Sequence, residues 1–153
     1  MADKDPLTPP KKQFAIQKLY IKDISFESPN APIVFTEKWE PHVDLNLTTQ
    51  TNKAPQNLYE TSITVTVTVK NDDKTAYLVE ATQVGIFGVD GFSDQEMGPL
   101  LGSFCPSVLF PYLREVISDI VTKGGFPQML LNPVNFDALY TQQMQSIDKS
   151  KVN

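Results

Sequence analysis

The chain has 153 residues, a net charge of −5, and 41% hydrophobic and 20% charged residues. A chain of this length fits one domain, which buries roughly 68–70% of its unfolded surface, and this composition excludes wholesale disorder. No apolar run approaches the ~20 residues needed to span a bilayer, and residues 1–6 lack the apolar segment of a signal peptide. Cys105 is the single cysteine, so no intrachain disulfide can form and a reducing compartment is expected.

The charge is distributed unevenly along the chain. Residues 23–119 contain fourteen acids and five bases, a net charge of −9, whereas residues 1–22 carry a net charge of +3. Phosphate backbones bind clustered lysine and arginine, and Arg114 is the single arginine. Nucleic acid is therefore excluded as a partner, and an acidic surface favours a basic protein partner.

The first half of the chain predicts an antiparallel sheet. Residues 1–13 are rich in proline and lysine and are expected to form a flexible arm. Strands are expected at residues 14–26, around 43–48, at 62–70 and at 75–87, on β-branched content and on alternation of apolar with polar residues. Residues 71–74, Asn-Asp-Asp-Lys, predict the hairpin turn between the last two strands. Four strands with short or medium connections indicate antiparallel pairing.

The second half predicts helices. Ser93 and Glu96 have capping-box spacing, and Gly98, Pro99 and Gly102 are expected to disturb the short helix that they start. A longer helix is expected to begin between residues 106 and 111 and to end at residues 124–125 through a left-handed glycine. Its apolar stripe comprises Leu109, Leu113, Val116, Ile117 and Ile120. Asn135 is expected to cap a last helix that reaches Tyr140 and Gln143, with fraying from Asp148. Strands followed by helices predict an α+β fold in one domain, residues 14–147.

The residue types exclude the common catalytic and metal sites. His42 and Cys105 are the only residues of their kinds, and a zinc site usually needs three or four such ligands. Cys105 lies among apolar neighbours, which is typical of a small buried residue and not of an activated nucleophile. We expect no catalytic residue, no metal and no cofactor.

Large side chains in irregular segments leave two interpretations open. Phe26, Phe35 and Trp39 surround the break after the first strand, and Phe126 begins a late loop with Met129, Leu130 and Leu131. Such residues either pack beneath their loops or form a binding surface. The long helix also carries Val108, Phe110, Tyr112 and Val121 beyond its stripe, so much of its circumference is apolar. A single sheet covers one side of such a helix, which predicts self-association.

Four segments resemble a known family. Residues 105–115 read Cys-Pro-Ser-Val-Leu-Phe-Pro-Tyr-Leu-Arg-Glu, residues 125–128 read Gly-Phe-Pro-Gln, and residues 131–139 read Leu-Asn-Pro-Val-Asn-Phe-Asp-Ala-Leu. Together with Lys-Asp-Ile-Ser-Phe-Glu-Ser-Pro-Asn-Ala-Pro at residues 22–32, they are similar to the SecB family of protein-export chaperones. The resemblance spans roughly residues 14–140.

The resemblance implies an α+β dimer of dimers, with four-stranded sheets outside and the long helices between them. The family holds precursor proteins unfolded in the bacterial cytoplasm without ATP and delivers them to SecA, the motor of the Sec translocase. Its members have no catalytic residues. A related holdase dedicated to one partner, such as a chaperone associated with a toxin–antitoxin system, is the alternative.

The resemblance also implies two binding sites. By position, contact with the basic, zinc-stabilised C-terminal segment of SecA would use Asp23, Glu27, Leu78 and Glu80. A client groove would use Val43, Leu45 and Leu47, to which we add Phe26, Phe35, Trp39, Phe126 and Phe136. Val79 and Ala81 depart from the commonest family residues, and the arm and the short C-terminal tail differ too, so no contact of the termini is carried over.

Overall fold

The structure is a computed structural model that describes the backbone of residues 11–152 and the side chains of residues 11–148. Most of the expected N-terminal arm, residues 1–13, lies outside this range. The expected strands are confirmed, and each is somewhat longer than the sequence predicts. They are β1 (Gln13–Glu27), β2 (Pro41–Ala54), β3 (Leu58–Asn71) and β4 (Lys74–Asp90).

The four strands form one antiparallel sheet in the order β1-β4-β3-β2. The expected turn joins β3 to β4 tightly, with Asp72 in the left-handed region at φ 54°. The connection from β1 to β2 must cross the whole sheet because these strands are its two edges. It contains a short 3-10 helix, Ile33–Thr36, in which Val34 is buried.

Two β-bulges explain the mixed residue pattern of β1. The register with β4 shifts between Ile16 and Lys18 and again between Ile21 and Asp23. Each shift adds one residue to β1 that has no partner in β4. Two apolar residues that are three positions apart across a shift therefore lie on the same face of the sheet. The residues kept on that face are Phe14, Ile16, Leu19, Ile21, Ile24 and Phe26, opposite alternate residues of β4 from Val89 to Val79.

The helical half begins with α1 (Asp94–Pro99), where the capping box of Ser93 and Glu96 is confirmed in both directions. The expected disturbance around Gly102 is a π-helical segment, Leu100–Phe104, and not a break. It leads directly into α2 (Cys105–Lys123), which starts one residue before the predicted interval. The predicted left-handed end is confirmed, since Gly125 has φ 90°.

The core lies between α2 and the inner face of β3 and β4. The α2 residues that are 0% exposed follow a spacing of four, namely Cys105, Leu109, Leu113, Ile117 and Val121. They cover the inward residues of β3, which are Ile63, Val65, Val67 and Val69, each also fully buried. The predicted stripe faces the core: Val116 and Ile120 are half-buried and pack against it, and Val121, which the prediction left outside the stripe, belongs to the core as well. Each buried aliphatic side chain contributes roughly 1.5–3 kcal/mol.

The continuity of α1, the π segment and α2 changes one sequence expectation. Together they form a 30-residue helix, Asp94–Lys123, that meets the length and composition criterion for crossing a membrane, with a mean hydropathy of 1.2 in its best window. The sequence expectation missed this helix because it treated residues 98–102 as an interruption. Core helices of globular proteins meet the same criterion, and this helix contributes one full face to the core.

The last helix, α3 (Phe136–Val152), packs at the π segment. The predicted cap is confirmed, since Oδ1 of Asn135 accepts from the backbone N–H of Ala138 at 3.0 Å. The Tyr140 ring packs against residues 98 and 102, and both are glycines. A Cβ at either position would lie within 2.4 Å of that ring or its hydroxyl, so only glycine leaves room for it. The helical backbone reaches Val152, beyond the point from which the sequence predicts fraying.

Candidate functional site

The four residues expected at the acidic site lie together on the outer face of the sheet, which α2 does not cover. We call Asp23, Glu27, Leu78 and Glu80 the outer acidic patch. Glu27 is the direct partner of Leu78 across β1 and β4, and Glu80 is two residues further along the same face of β4. Asp23 is opposite Thr82, in the next outward row. Neighbouring strands are about 4.8 Å apart, so one small partner segment can reach all four side chains.

Glu80 is held more firmly than the other carboxylates of the patch. The Thr66 hydroxyl, directly across in β3, donates to Oε2 of Glu80 at 2.9 Å. Glu80 and Thr66 line a shallow pocket of about 200 Å³ with Ser25, Glu27, Leu78 and Val79. The pocket therefore places apolar surface next to two carboxylates. The sequence predicted Thr66 to face outward but gave no signal of its bond to Glu80.

On the inner face, α2 leaves part of edge strand β2 uncovered. Val43, Leu45 and Leu47 point to this face, opposite Val69, Val67 and Val65 of β3. Val43 and Leu45 are each 46% exposed and Leu47 is half-buried, whereas their β3 neighbours are fully buried. We call these three residues the β2 apolar strip. Its side chains are aligned by the regular alternation of a strand and are accessible from one side.

An aromatic cluster lies at one end of the strip. It comprises Phe26 of β1, Phe35 and Trp39 of the β1–β2 connection, Tyr77 of β4 and Phe126 of the loop after α2. The Phe126 ring is central, with centroids 4.7 Å from Tyr77, 5.0 Å from Phe35, 5.6 Å from Trp39 and 6.4 Å from Phe26. Val43, Val69 and Tyr77 form one row across the sheet, so the strip and the cluster are continuous.

The cluster is core at its centre and surface at its edge. Phe126 is 5% exposed, and burial raises the pKa of Tyr77 to about 12. Phe35 is 50% exposed, and Trp39 is half-buried. The packing interpretation therefore holds for Phe126, whereas Phe35 lies at the surface and its part in a binding surface stays a prediction. The sequence did not single out Tyr77, although the alternation of inward residues in β4 places it correctly.

The structure does not bring Phe136 into this cluster. Its ring packs against Phe110 of α2 at 5.7 Å between centroids, and it is 3% exposed. Local patterns do not separate Phe136 from the other aromatic residues of the expected groove, because its position depends on how α3 packs against α2. The other seven residues of the expected groove lie in the strip or the cluster.

Cys105 and His42, the single cysteine and the single histidine, are not placed to act together as a nucleophile and its base. Cys105 is buried beneath the inner face, where burial raises the pKa of its thiol to about 12. His42 is exposed on the outer face of β2, opposite Lys70. The thickness of the sheet separates the two side chains. Among the described residues, no group of three or more histidine, cysteine, aspartate or glutamate side chains is placed to hold a metal ion.

The fold agrees with the comparisons to known proteins. A family model described as preprotein translocase subunit SecB matches residues 8–147. A "Protein-export protein SecB" of Methylococcus capsulatus is 63% identical over 136 residues, covering 89% of this chain and 88% of that one. Another protein of that name, from Alkalilimnicola ehrlichii, is 52% identical over 143 residues, covering 93% and 76%.

Among solved structures, a Mycobacterium tuberculosis SecB-like chaperone in complex with an antitoxin peptide superposes with a TM-score of 0.66. Its sequence is 15% identical to this one, and the superposition covers 79% of this chain and 90% of that chain. At this identity the similarity supports the fold alone. The family match over nearly the whole chain, with relatives above 50% identity, decides the assignment. The chain belongs to the SecB family of protein-export chaperones.

Proposed function

We propose that this protein is an ATP-independent chaperone of the bacterial cytoplasm that holds precursor proteins unfolded and delivers them to SecA for export. The observation that carries the proposal is the exposed β2 apolar strip, continuous with a half-exposed aromatic cluster, on the inner face of a sheet whose outer face carries an acidic patch. The protein needs no catalytic group for this role, because it acts by binding and release.

The strip and the cluster together suit an extended, unfolded segment. Unfolded precursors expose apolar side chains along their whole length, so a holdase benefits from a long surface that tolerates many sequences. Burial of apolar area contributes roughly 25 cal/mol per Å², which rewards length of contact more than the shape of one pocket. In this proposal Val43, Leu45 and Leu47 contact the extended part of a client, and Phe35 and Trp39 contact its larger side chains.

The outer acidic patch suits the basic C-terminal segment of SecA. Asp23 and Glu27 are exposed carboxylates, and Leu78 provides apolar contact between Glu27 and Glu80. Clustered charges of one sign speed the encounter with an oppositely charged partner. Because the patch and the strip lie on opposite faces of one sheet, SecA can engage the chaperone while a client is still bound.

We also propose that four copies assemble as a dimer of dimers. Apolar side chains remain exposed on β1, at Ile16, Ile21 and Ile24, and on the side of α2 that faces away from the sheet, at Tyr112. A tetramer would multiply the grooves and so add avidity for a long client. Light scattering should give four times the subunit mass, and a monomer at micromolar concentration would contradict the assembly.

A pull-down from a lysate of the source bacterium tests the function directly. SecA and unprocessed precursors should be recovered with the tagged chaperone, and the absence of both would refute the proposal. Glu80→Lys should weaken capture of SecA while precursors are still recovered. Equal loss of both ligands would point to misfolding. The dedicated-partner alternative is not favoured, since relatives with 51–63% identity share the protein-export name.

A further inference from the structure

The three carboxylates of the outer acidic patch differ in how they are held. Asp23 and Glu27 are exposed, and no side-chain hydrogen bond or ion pair fixes either of them among residues 11–148. Glu80 is half-buried in a central strand and accepts the Thr66 hydroxyl at 2.9 Å. Within the same range no cation lies within 4.0 Å of Glu80, so its charge is not neutralised.

Thr66 is well placed to fix a carboxylate. It is the direct cross-strand partner of Glu80, and both residues lie in the two central strands, β3 and β4, where backbone pairing is complete on both sides. A β-branched side chain has restricted χ1 rotation in a strand, so the direction of the hydroxyl is set by the backbone. The bond uses Oε2 of Glu80 and leaves Oε1 available as an acceptor.

We propose that Thr66 is a positioning residue for partner recognition: it holds Glu80 in the orientation that receives a lysine or arginine side chain of the basic partner. This inference rests on the proposed binding of SecA at the outer acidic patch. The alkyl stem of such a side chain would lie over Leu78, in the pocket of about 200 Å³, with its charged head at Glu80. Fixing Glu80 in advance removes part of the rotamer entropy that binding would otherwise cost.

The test is titration of purified SecA into variants of the full chain by calorimetry at low ionic strength. Thr66→Val keeps the shape and the strand preference but removes the donor, and we expect affinity to fall about five- to tenfold. Thr66→Ser keeps the donor and should restore affinity to within about twofold of the parent. The matched control is Thr64→Val, two residues along the same face, which loses a hydroxyl bonded to Thr82 at 2.9 Å and not to a carboxylate.

A double-mutant cycle separates positioning from a general effect on the sheet. In a Glu80→Ala background the Thr66→Val change should have no further effect on SecA affinity, because its target is gone. An unchanged affinity in Thr66→Val alone, or an equal loss in Thr64→Val, overturns the positioning role. If Glu80→Ala itself binds SecA normally, the placement of the partner site fails and the role of Thr66 fails with it. If Glu80→Ala weakens binding while Thr66→Val does not, the proposed function stands and only the positioning role is lost.

Discussion

The two faces of the sheet differ in what holds their side chains. On the inner face, Phe126 and Tyr77 are fixed by packing against several rings in a region closed to water. On the outer face, Asp23 and Glu27 are exposed, and Glu80 is fixed by a single hydroxyl. Changes to the buried rings of the inner face should therefore alter folding and client binding together, whereas changes on the outer face should alter recognition alone.

Strand β4 contributes to both faces. Tyr77 and Val79 point into the core, and Leu78 and Glu80 point outward. Since alternate residues serve different surfaces, one strand carries Tyr77 of the aromatic cluster and half of the outer acidic patch.

Phe126→Ala should have the largest effect, because it removes the ring on which four others pack. We expect a loss of about 3–5 kcal/mol in the free energy of unfolding, typical of a large cavity in a packed core. Urea unfolding at fixed protein concentration measures it. Leu130→Ala is the control from the same loop, since Leu130 is exposed and should change stability by less than about 1 kcal/mol. If the two variants lost a similar free energy of unfolding, the aromatic cluster would not be part of the core.

Gly124→Ala should disturb the same cluster from its other side. A Cβ at residue 124 would lie 2.3 Å from Cζ of Phe26, whose ring stacks on Tyr77 with centroids 5.8 Å apart. The ring must move, and overpacking of this kind costs about 1–3 kcal/mol. Lys123→Ala, at an exposed neighbouring position, should leave the free energy of unfolding nearly unchanged. An unchanged free energy of unfolding in Gly124→Ala would show that the Phe26 ring can move without loss of stability.

Replacing Val43, Leu45 and Leu47 together by alanine tests the β2 apolar strip. Affinity for an unfolded precursor should fall about tenfold, or about 1.4 kcal/mol, while the oligomer stays intact. The matched control changes Asp44, Asn46 and Thr48 to alanine on the opposite face of the same strand. Fluorescence anisotropy with a labelled, denatured precursor measures both. Unchanged affinity in the apolar variant would remove the strip from the groove.

Alkaline pH should lower the free energy of unfolding, because the thiol of Cys105 is buried beneath the inner face. The pKa of Cys105 is raised from 9.0 to about 12 by burial, so the folded state favours the protonated thiol. The contribution of the thiol to the free energy of unfolding is complete below pH 9. It is lost as the pH rises from about 9 towards 12, because only the unfolded chain then releases the proton. From pH 9 to pH 10 the loss should be about 1 kcal/mol.

The variant Cys105→Ser isolates that contribution, because a serine hydroxyl does not ionise in this range. Its stability should fall less steeply between pH 9 and pH 10 than that of the parent, when both are measured by urea unfolding. Tyr77, with a pKa also raised to about 12, is present in both proteins and cancels in the comparison. Parallel pH profiles would mean that the thiol is not desolvated.

Local patterns predicted the parts of the fold that depend on local physics. The alternation of valine and threonine in β3 correctly separates the two faces, and the capping residues Ser93 and Asn135 locate their helix starts. The continuity of the helix through Gly102 and the order of the strands were not predictable, because long-range packing determines both. The same holds for Phe136, whose burial against Phe110 depends on α3.

The residues expected at the outer acidic patch and in the β2 apolar strip came from the resemblance and not from local patterns, whereas the aromatic residues of the groove were our own additions. Alternation places Val43 and Glu80 on opposite faces, but it does not say which positions α2 leaves uncovered. The bond from Thr66 to Glu80 requires the register of β3 with β4, which sequence periodicity does not fix. Strand type was therefore predictable, whereas exposure and cross-strand bonding were not.

The alternating side chains of β4 have a thermodynamic consequence. Leu78 and Glu80 lie on one surface and Tyr77 and Val79 on the other, so a shift of this strand should change both of the proposed binding sites. If an outer-face ligand weakens client affinity by some factor, the client must weaken the affinity for that ligand by the same factor, because linkage is reciprocal. Transfer of cargo without ATP would then be governed by the coupling free energy across a single strand, measurable by titrating each ligand in the presence and absence of the other.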